Sequence, residues 1–268
     1  MRIATWNIQA GRGARGSIYA GGDVTRDSLV RLAETIAEHE IDVIALQEVD
    51  RFQERTSRLD QTAIIAEALG AADARFVPHY VGQAGSLRLP PPRLFSDTPG
   101  FGVAIISRLP VVSWHARRFP LRLPKIQLSS VDEHLWNRLR IYDTTRSLLA
   151  ATIREGDALV SLANLHAPAA ADVARAQQIQ AAHSLRSLPG TRILAGDFNV
   201  GPSDVAATLP GTNLVTAPTF PNPNAASQID HLIADTPVTC GGAHVCQMPF
   251  SDHCLAWADI APSQAAEQ

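Results

Sequence analysis

Ile41-Asp42-Val43-Ile44-Ala45-Leu46-Gln47-Glu48 is a compact apolar run that ends in an amide and a carboxylate. Its length and composition suit a buried strand. Just upstream, residues 27–39 place Leu29, Val30, Leu32, Ala33, Ile36 and Ala37 at helical spacing. Residues 60–69 read as a second helix, stopped by Gly70. The first strand falls at residues 2–7. Short apolar runs alternating with helical patterns point to an α/β fold.

The pattern continues outward. Residues 102–107 form another short buried strand. Residues 147–153 and 158–165 flank Arg154-Glu155-Gly156-Asp157, which suggests a hairpin. Asp172 is placed to cap a helix that runs to residue 188 and stops at Pro189-Gly190. Strands follow at residues 192–195, 229–234 and 254–260. Residues 83–99, rich in Pro and Gly, read as a surface loop, and residues 115–145 as a loop that shapes substrate access. No internal repeat and no linker stands out. The expectation is one domain over residues 1–262 with a flexible tail at 263–268.

Bulk properties narrow the classes. The chain has 268 residues, 46% of them apolar and 18% charged, which is ordinary for a globular protein. A net charge of -3 argues against a dedicated nucleic-acid binder but leaves room for a local basic groove. Cys240, Cys246 and Cys254 are odd in number and match no zinc-module spacing. Met1 to Asn7 shows no basic region followed by an apolar one, and no run approaches the ~20 residues of a membrane span. These features lead us to expect a soluble, cytoplasmic, monomeric protein.

Polar residues cluster at strand ends. Asn7 closes the first strand and Glu48 the second. Asn164 and His166 close a third, and Asp197 and Asn199 follow a fourth. Asp230 and His231 open one late strand, and Asp252 and His253 another. Residues two apart on an extended segment share a side, so a sheet can gather these groups on one rim, where α/β folds commonly bind ligands. Clustered carboxylates repel one another without a cation. An oxygen-rich set with few thiols favours Mg²⁺, or Mn²⁺, over structural zinc.

The motifs Thr5-Trp6-Asn7-Ile8, Ile44-Ala45-Leu46-Gln47-Glu48-Val49, Gly102-Val103-Ala104-Ile105-Ile106-Ser107, Asn164-Leu165-His166, Gly196-Asp197-Phe198-Asn199, Gln228-Ile229-Asp230-His231 and Ser251-Asp252-His253 occur in this order. Together they resemble the endonuclease/exonuclease/phosphatase superfamily, which includes DNase I-like nucleases and inositol-phosphate phosphatases. The resemblance implies a four-layered α/β sandwich: two mixed sheets packed face to face with helices outside. It implies that Glu48 is the principal Mg²⁺ ligand, with Asn7 and Asp252 helping to hold the metal. Asp197 would orient or deprotonate the attacking water and Asn199 would place it. His253, paired with Asp230, would contact the phosphate. His166 would lie near the phosphate or leaving group. Arg146 matches a position where many bacterial members carry an arginine and would touch the phosphate.

Several residues carry a structural reading. His231 reads as structural, and His39, His79, His115, His134, His183 and His244 as solvated or packing residues. Gly11-Arg12-Gly13-Ala14-Arg15-Gly16 reads as a flexible loop. Trp114, Trp136, Arg117, Arg118 and Arg122 suit either a binding rim or a solvated loop. The leading expectation is a nuclease-like phosphodiesterase acting on a phosphate ester, with nucleic acid as a candidate partner. A small-molecule phosphomonoesterase of inositol-phosphate or nucleotide type is the alternative. A catalytically silent module would be expected to lack Glu48, Asp197 or His253, and all three are present. No His-Glu-x-x-His occurs, which disfavours a metalloprotease.

Overall fold

The computed structural model describes residues 1–14, 21–83, 89–95, 97–120, 125–128, 139–142 and 145–262, with 125–128 and 139–142 as backbone. Arg15, Gly16, Arg122, His134, Trp136 and the tail at 263–268 lie outside the described residues. The chain opens with β1 (Arg2–Asn7), α1 (Arg26–Ala37) and β2 (Val43–Arg51). Next come α2 (Gln61–Ala68), β3 (Asp73–Val81), β4 (Gly100–Ser107) and β5 (Val111–Arg118). The strands β6 (Lys125–Leu128) and β7 (Leu139–Tyr142) pair with each other. A hairpin of β8 (Ser147–Glu155) and β9 (Ala158–His166) leads to α3 (Ala171–Arg186) and β10 (Thr191–Asp197). The rest is α4 (Pro202–Thr208), β11 (Thr212–Asn213), β12 (Asp230–Ala234), β13 (Val238–Cys246) and β14 (Leu255–Pro262).

Helix starts follow local chemistry. The Thr25 hydroxyl accepts from Ser28 N at 3.1 Å, and Thr25 N donates back to Ser28 Oγ at 2.9 Å, so α1 opens on a reciprocal capping box. Asp60 caps α2 through Ala63 N at 3.0 Å. Asp172 does not cap α3, contrary to expectation. Ala170 holds that position without a side-chain bond, and Asp172 sits in the first turn, at the positive end of the helix dipole.

Two six-stranded mixed sheets run β13-β14-β1-β2-β4-β3 and β11-β12-β10-β9-β8-β5. The parallel pairs β1/β2 and β9/β10 lie inside them, joined by crossovers through α1 and α3. Three apolar clusters separate the four layers. Ala4, Trp6, Leu29, Ile36 and Ile65 pack α1 and α2 onto the first sheet. Ile3, Val43, Ala45, Leu162, Ile193 and Ala195 fill the space between the sheets. Leu165, Ala181, Leu185 and Leu194 seat α3 on the second sheet. This is the DNase I-like α/β sandwich.

Alternation along the strands then decides what lies above the inter-sheet core. The side of β1 that carries Ile3 also carries Thr5 and Asn7. The side of β9 that carries Leu162 also carries Asn164 and His166, and Asp197 follows Ile193 and Ala195 on β10. Two of these groups, Thr5 and Asn164, form a buried polar tier with Gln47 of β2. Gln47 Nε2 donates to Thr5 Oγ1 at 3.0 Å and to Asn164 Oδ1 at 2.8 Å. Asn164 Nδ2 donates across the sandwich to the carbonyls of Leu46 at 2.9 Å and Ala104 at 2.7 Å.

Those two carbonyls flank a bulge. Leu46 pairs with Ala104 and Val49 with Gly102, so Gln47 and Glu48 together face Val103. The expected strand end at Glu48 is therefore corrected: β2 continues through Glu48 to Arg51. Glu48 takes a left-handed φ of 53°. An unbroken strand would put Glu48 on the helix-facing side with Ile44 and Leu46. The extra residue hands that side to Val49 and turns Glu48 toward the rim.

Further corrections concern edges. β3, β5, β11 and β13 form where no strand was expected, residues 115–118 belong to β5 rather than to a loop, and 125–128 pairs with 139–142 within the same expected loop. Trp114 bonds Asp73 and Arg117 bonds Ser184, so this strand's polar groups serve packing.

Two stability predictions follow. Asn164→Leu leaves Gln47 and two main-chain carbonyls buried without their partner, and should lower unfolding free energy by about 2–4 kcal/mol in urea melts. A loss under about 0.5 kcal/mol would remove the polar tier as a structural tie. Gly196 has φ 141°, and a Cβ there would sit 1.7 Å from Leu165 O. Gly196→Ala should therefore cost about 3 kcal/mol or leave the protein insoluble, and a wild-type melting curve would contradict the close approach.

Candidate active site

The rim above the polar tier collects the expected residues. Asn7, His166 and Asp197 are the last residues of β1, β9 and β10, the carboxyl ends of the parallel pairs. β12 and β14 run antiparallel to their neighbours, so they begin at this same rim, with Asp230 first on β12 and Asp252 and His253 just before β14.

Asn7 joins the two sheets. Its Nδ2 donates to Glu48 Oε1 at 3.2 Å and to Asp197 Oδ2 at 3.1 Å, while its Oδ1 accepts from Gln9 N at 3.0 Å. Asn199 N donates to Asp197 Oδ1 at 2.9 Å, which fixes the carboxylate from the other side. Asn199 itself is left-handed, φ 52°, and its Nδ2 donates to Ala167 O at 2.9 Å. Its amide oxygen remains for other partners.

His253 Nδ1 bonds Asp230 Oδ2 at 2.9 Å, and its Nε2 stands 3.8 Å from Asp197 Oδ2. Because Nδ1 is engaged, Nε2 faces the reaction side. Neighbours hold His253 by its main chain on two sides and by its ring on a third. Ser251 Oγ accepts from His253 N at 3.0 Å and donates to Asn7 O at 2.6 Å, Trp6 Nε1 donates to His253 O at 3.0 Å, and the Phe220 ring lies 4.9 Å away. Thr219 Oγ1 accepts from Ile229 N and Asp230 N at 3.2 Å, so the Asp230 turn is also held.

The electrostatics follow from burial. Desolvation and the neighbouring Asp230 charge push the Asp197 carboxyl up to about 7, against the pull of His253, Asn7 and the Asn199 amide. Burial opposes a charge on His253, but Asp230, Asp197 and Asp252 outweigh it and raise its pKa to about 10. His166 goes the other way. Burial, reinforced by the Arg146 charge, holds it well below the ordinary imidazole range, so it is neutral. Its Nε2 lies 3.8 Å from Asp197 Oδ2, and its buried Nδ1 has no hydrogen-bond partner among the described residues.

His79 belongs beside His166, although its sequence context gave it only a packing role. The two rings are 5.7 Å apart. Ser147 N donates to His79 Nδ1 at 3.0 Å and Ser147 Oγ to Pro78 O at 2.9 Å, tying β8 to β3 across the sandwich. Phe101, 6.5 Å from the His166 ring and stacked 5.6 Å from Tyr80, completes this wall. Arg146, at the foot of β8, projects its charge onto both histidines. His231 is structural: it is fully buried and bonded to Val200 O at 3.0 Å.

Two groupings could hold a cation. Glu48 and Asp252 are half-buried carboxylates on the rim, ligands of the kind Mg²⁺ takes, and the Asn7 oxygen would join them by exchanging its bond to Gln9 N and turning from the amide-nitrogen contact with Glu48. Asp252 makes no side-chain bond among the described residues. The second grouping is Asp197, Asp230 and His253, whose ligand atoms lie within 4.8 Å of one another. There His253 and Asp230 already satisfy each other, and a metal would have to displace a proton that the site retains.

The comparisons agree with this architecture. The chain resembles an endonuclease/exonuclease/phosphatase from Beutenbergia cavernae at 23% identity, covering 99% of this chain and 72% of that one, with a TM-score of 0.65. A mannosyl-6-phosphatase from Bacteroides thetaiotaomicron is similar at 19% identity, 97% and 99% coverage and a TM-score of 0.59. TDP2 from D. rerio, complexed with a single-strand DNA product, is similar at 15% identity, 97% and 98% coverage and a TM-score of 0.56. No curated protein matches the chain significantly in sequence. Among the described residues no helix is long and apolar enough to cross a membrane. The model of the Endonuclease/Exonuclease/phosphatase family matches residues 4–253, so the chain belongs to that family of phosphate-ester hydrolases.

Proposed function

We propose that this protein is a divalent-metal-dependent phosphoesterase that hydrolyses a phosphodiester, in the manner of a nuclease, by in-line attack of an activated water. The observation that carries this reading is the array Glu48–Asn7–Asp197–His253–Asp230. One amide bridges two carboxylates of different character, and the second carboxylate faces an imidazolium held by a third. Residues 1–262 act as one unit in this reading, since β1 and β14 pair at its heart.

Asp197 accepts the water proton. Its raised pKa, about 7, makes it a competent base near neutrality. Asn199 offers its amide oxygen to hold that water in line. His253 keeps its proton and donates from Nε2 to a phosphoryl oxygen, while Asp230 fixes the ring. Neutral His166 and cationic Arg146 line the leaving-group side. Glu48, Asn7 and Asp252 would hold Mg²⁺ or Mn²⁺, which supplies charge neutralisation at the phosphate oxygens. A phosphomonoester is the second reading. The similarity to a mannosyl-6-phosphatase and the net charge of -3 favour it.

A screen of single- and double-stranded DNA, RNA, an inositol phosphate and bis-p-nitrophenyl phosphate, with Mg²⁺ or Mn²⁺, tests the reaction class. Turnover should vanish with chelator, and no turnover on any substrate with any divalent ion would end the proposal. Asp197→Asn and His253→Gln should each lower kcat by about 10²–10⁴-fold. The variants also separate the roles. Glu48→Gln should raise the Mg²⁺ concentration needed for half-activity by at least about tenfold, whereas His253→Gln should leave that concentration near wild type. Equal shifts in both would place the cation on the His253 side instead.

A further inference from the structure

Just past β2, the short helical turn Glu54–Thr56 carries a cation that the reaction centre does not use. Asp50 is fully buried, and Arg55 closes on it with a two-pronged contact: Nε to Oδ2 at 2.7 Å and Nη2 to Oδ1 at 2.7 Å. Thr56 Oγ1 adds a bond to Oδ2 at 3.2 Å. This fork fixes the guanidinium plane. It also leaves Nη1 with no protein partner among the described residues, on a side chain that stays 33% exposed.

The guanidinium lies beside the wall already described. The Arg55 guanidinium lies 5.4 Å from the Phe101 ring, and the Phe101 ring lies 6.5 Å from that of His166. Tyr80 stacks on Phe101, and both Glu48 and Tyr80 lie close enough to act on the Arg55 charge. Neutralising Asp50 needs only the two bonds already made. A fixed N–H edge beside an aromatic wall and next to the reaction centre is a ready donor for an anion, because partial exclusion of water strengthens such a bond.

We propose that Arg55 is a substrate-binding residue that holds a second phosphate of the substrate, adjacent to the scissile one, on the Phe101 side of the site. The inference rests on the phosphoesterase reading for its scissile phosphate. The recognised chemistry is a pair of neighbouring phosphates, as found along a nucleic-acid strand or on a polyphosphorylated small molecule. Asp50 orients the guanidinium, and Phe101 with Tyr80 forms the wall against which the second phosphate is held.

The test compares substrates that differ by one phosphate. The nucleic-acid arm uses a thymidine dinucleotide carrying a phosphate at its 5′ end, its 3′ end or neither. The small-molecule arm uses an inositol monophosphate and a vicinal inositol bisphosphate. Wild type should prefer the extra phosphate in one arm by at least about tenfold in kcat/KM, expressed in KM, and that arm identifies the source. Arg55→Lys keeps a cation on Asp50 but loses the fork, and should bring the preference close to one. The same preference in Arg55→Lys as in wild type, or no preference in either arm, would overturn the assignment. A parallel fall on every substrate with a lower melting temperature would mark Arg55 as structural and also overturn it. Calorimetry of the same ligands on the Glu48→Gln protein in chelator, with and without Arg55→Lys, reads the subsite without turnover. If wild type hydrolyses nothing, the phosphoesterase reading fails, and an Arg55-dependent gain from the extra phosphate in this arm still supports the subsite. Its absence removes the subsite.

Discussion

The hydrogen bonds from Asn164 to the carbonyls of Leu46 and Ala104 are the constraint on which the site depends. A bulge in a buried central strand strips its neighbours of ladder partners, and unpaired carbonyls in that position are costly. Asn164 reaches from the opposite sheet to satisfy both, and Gln47 takes up its remaining oxygen. The bulge is thereby affordable, and the bulge is what turns Glu48 out of the helix-facing layer. The second sheet thus determines where a carboxylate of the first sheet points.

The sandwich is stratified along its strands. Aliphatic side chains fill the lower inter-sheet space, then the Thr5–Gln47–Asn164 tier bridges it, then the ionisable groups of the rim sit above. The order has an electrostatic consequence. The rim groups rest on a layer that is dry but polar, so burial can raise the Asp197 carboxyl while directed hydrogen bonds keep its orientation. An aliphatic layer directly beneath would supply the desolvation without the positioning.

This stratification explains what the sequence made legible. Central strands are buried on both faces and read as apolar runs, and β1, β2, β4, β8, β9, β10, β12 and β14 were all visible that way. Apart from the separate β6/β7 pair, the strands that escaped are edges: β3 and β13 bound one sheet, and β11 and β5 the other. An edge strand is half solvated, so it carries residues such as His115 and Arg117, Gly241-Gly242 or Pro78 in place of a continuous apolar signal. The rim residues were legible because they punctuate central strands. His79 was not, because it lies on an edge strand and acquires its neighbour His166 only when the sheets meet. Asn164 was visible as part of a motif, but its work lies in a bulge that no periodicity reveals.

Three of the nine non-glycine residues with positive φ among the described residues lie at the same place. Glu48, Asn199 and Ser251 all have positive φ, at 53°, 52° and 134°. Each such non-glycine conformation costs on the order of 1–3 kcal/mol and persists only where surroundings over-determine it. Each is pinned by a different device. Glu48 is held by the bulge and the Asn7 amide, Asn199 by Asp197 and Ala167 O, and Ser251 by its hydroxyl bonds to Asn7 O and His253 N. Asn7 enters two of the three directly, and through Asp197 it reaches the third. It therefore couples the backbone positions that set the carboxylate, the amide and the imidazole, so a displacement at any one is transmitted to the others. For a reaction that depends on aligning a water, a phosphorus and a charge-stabilising donor, that coupling is a stricter requirement than the presence of any single group.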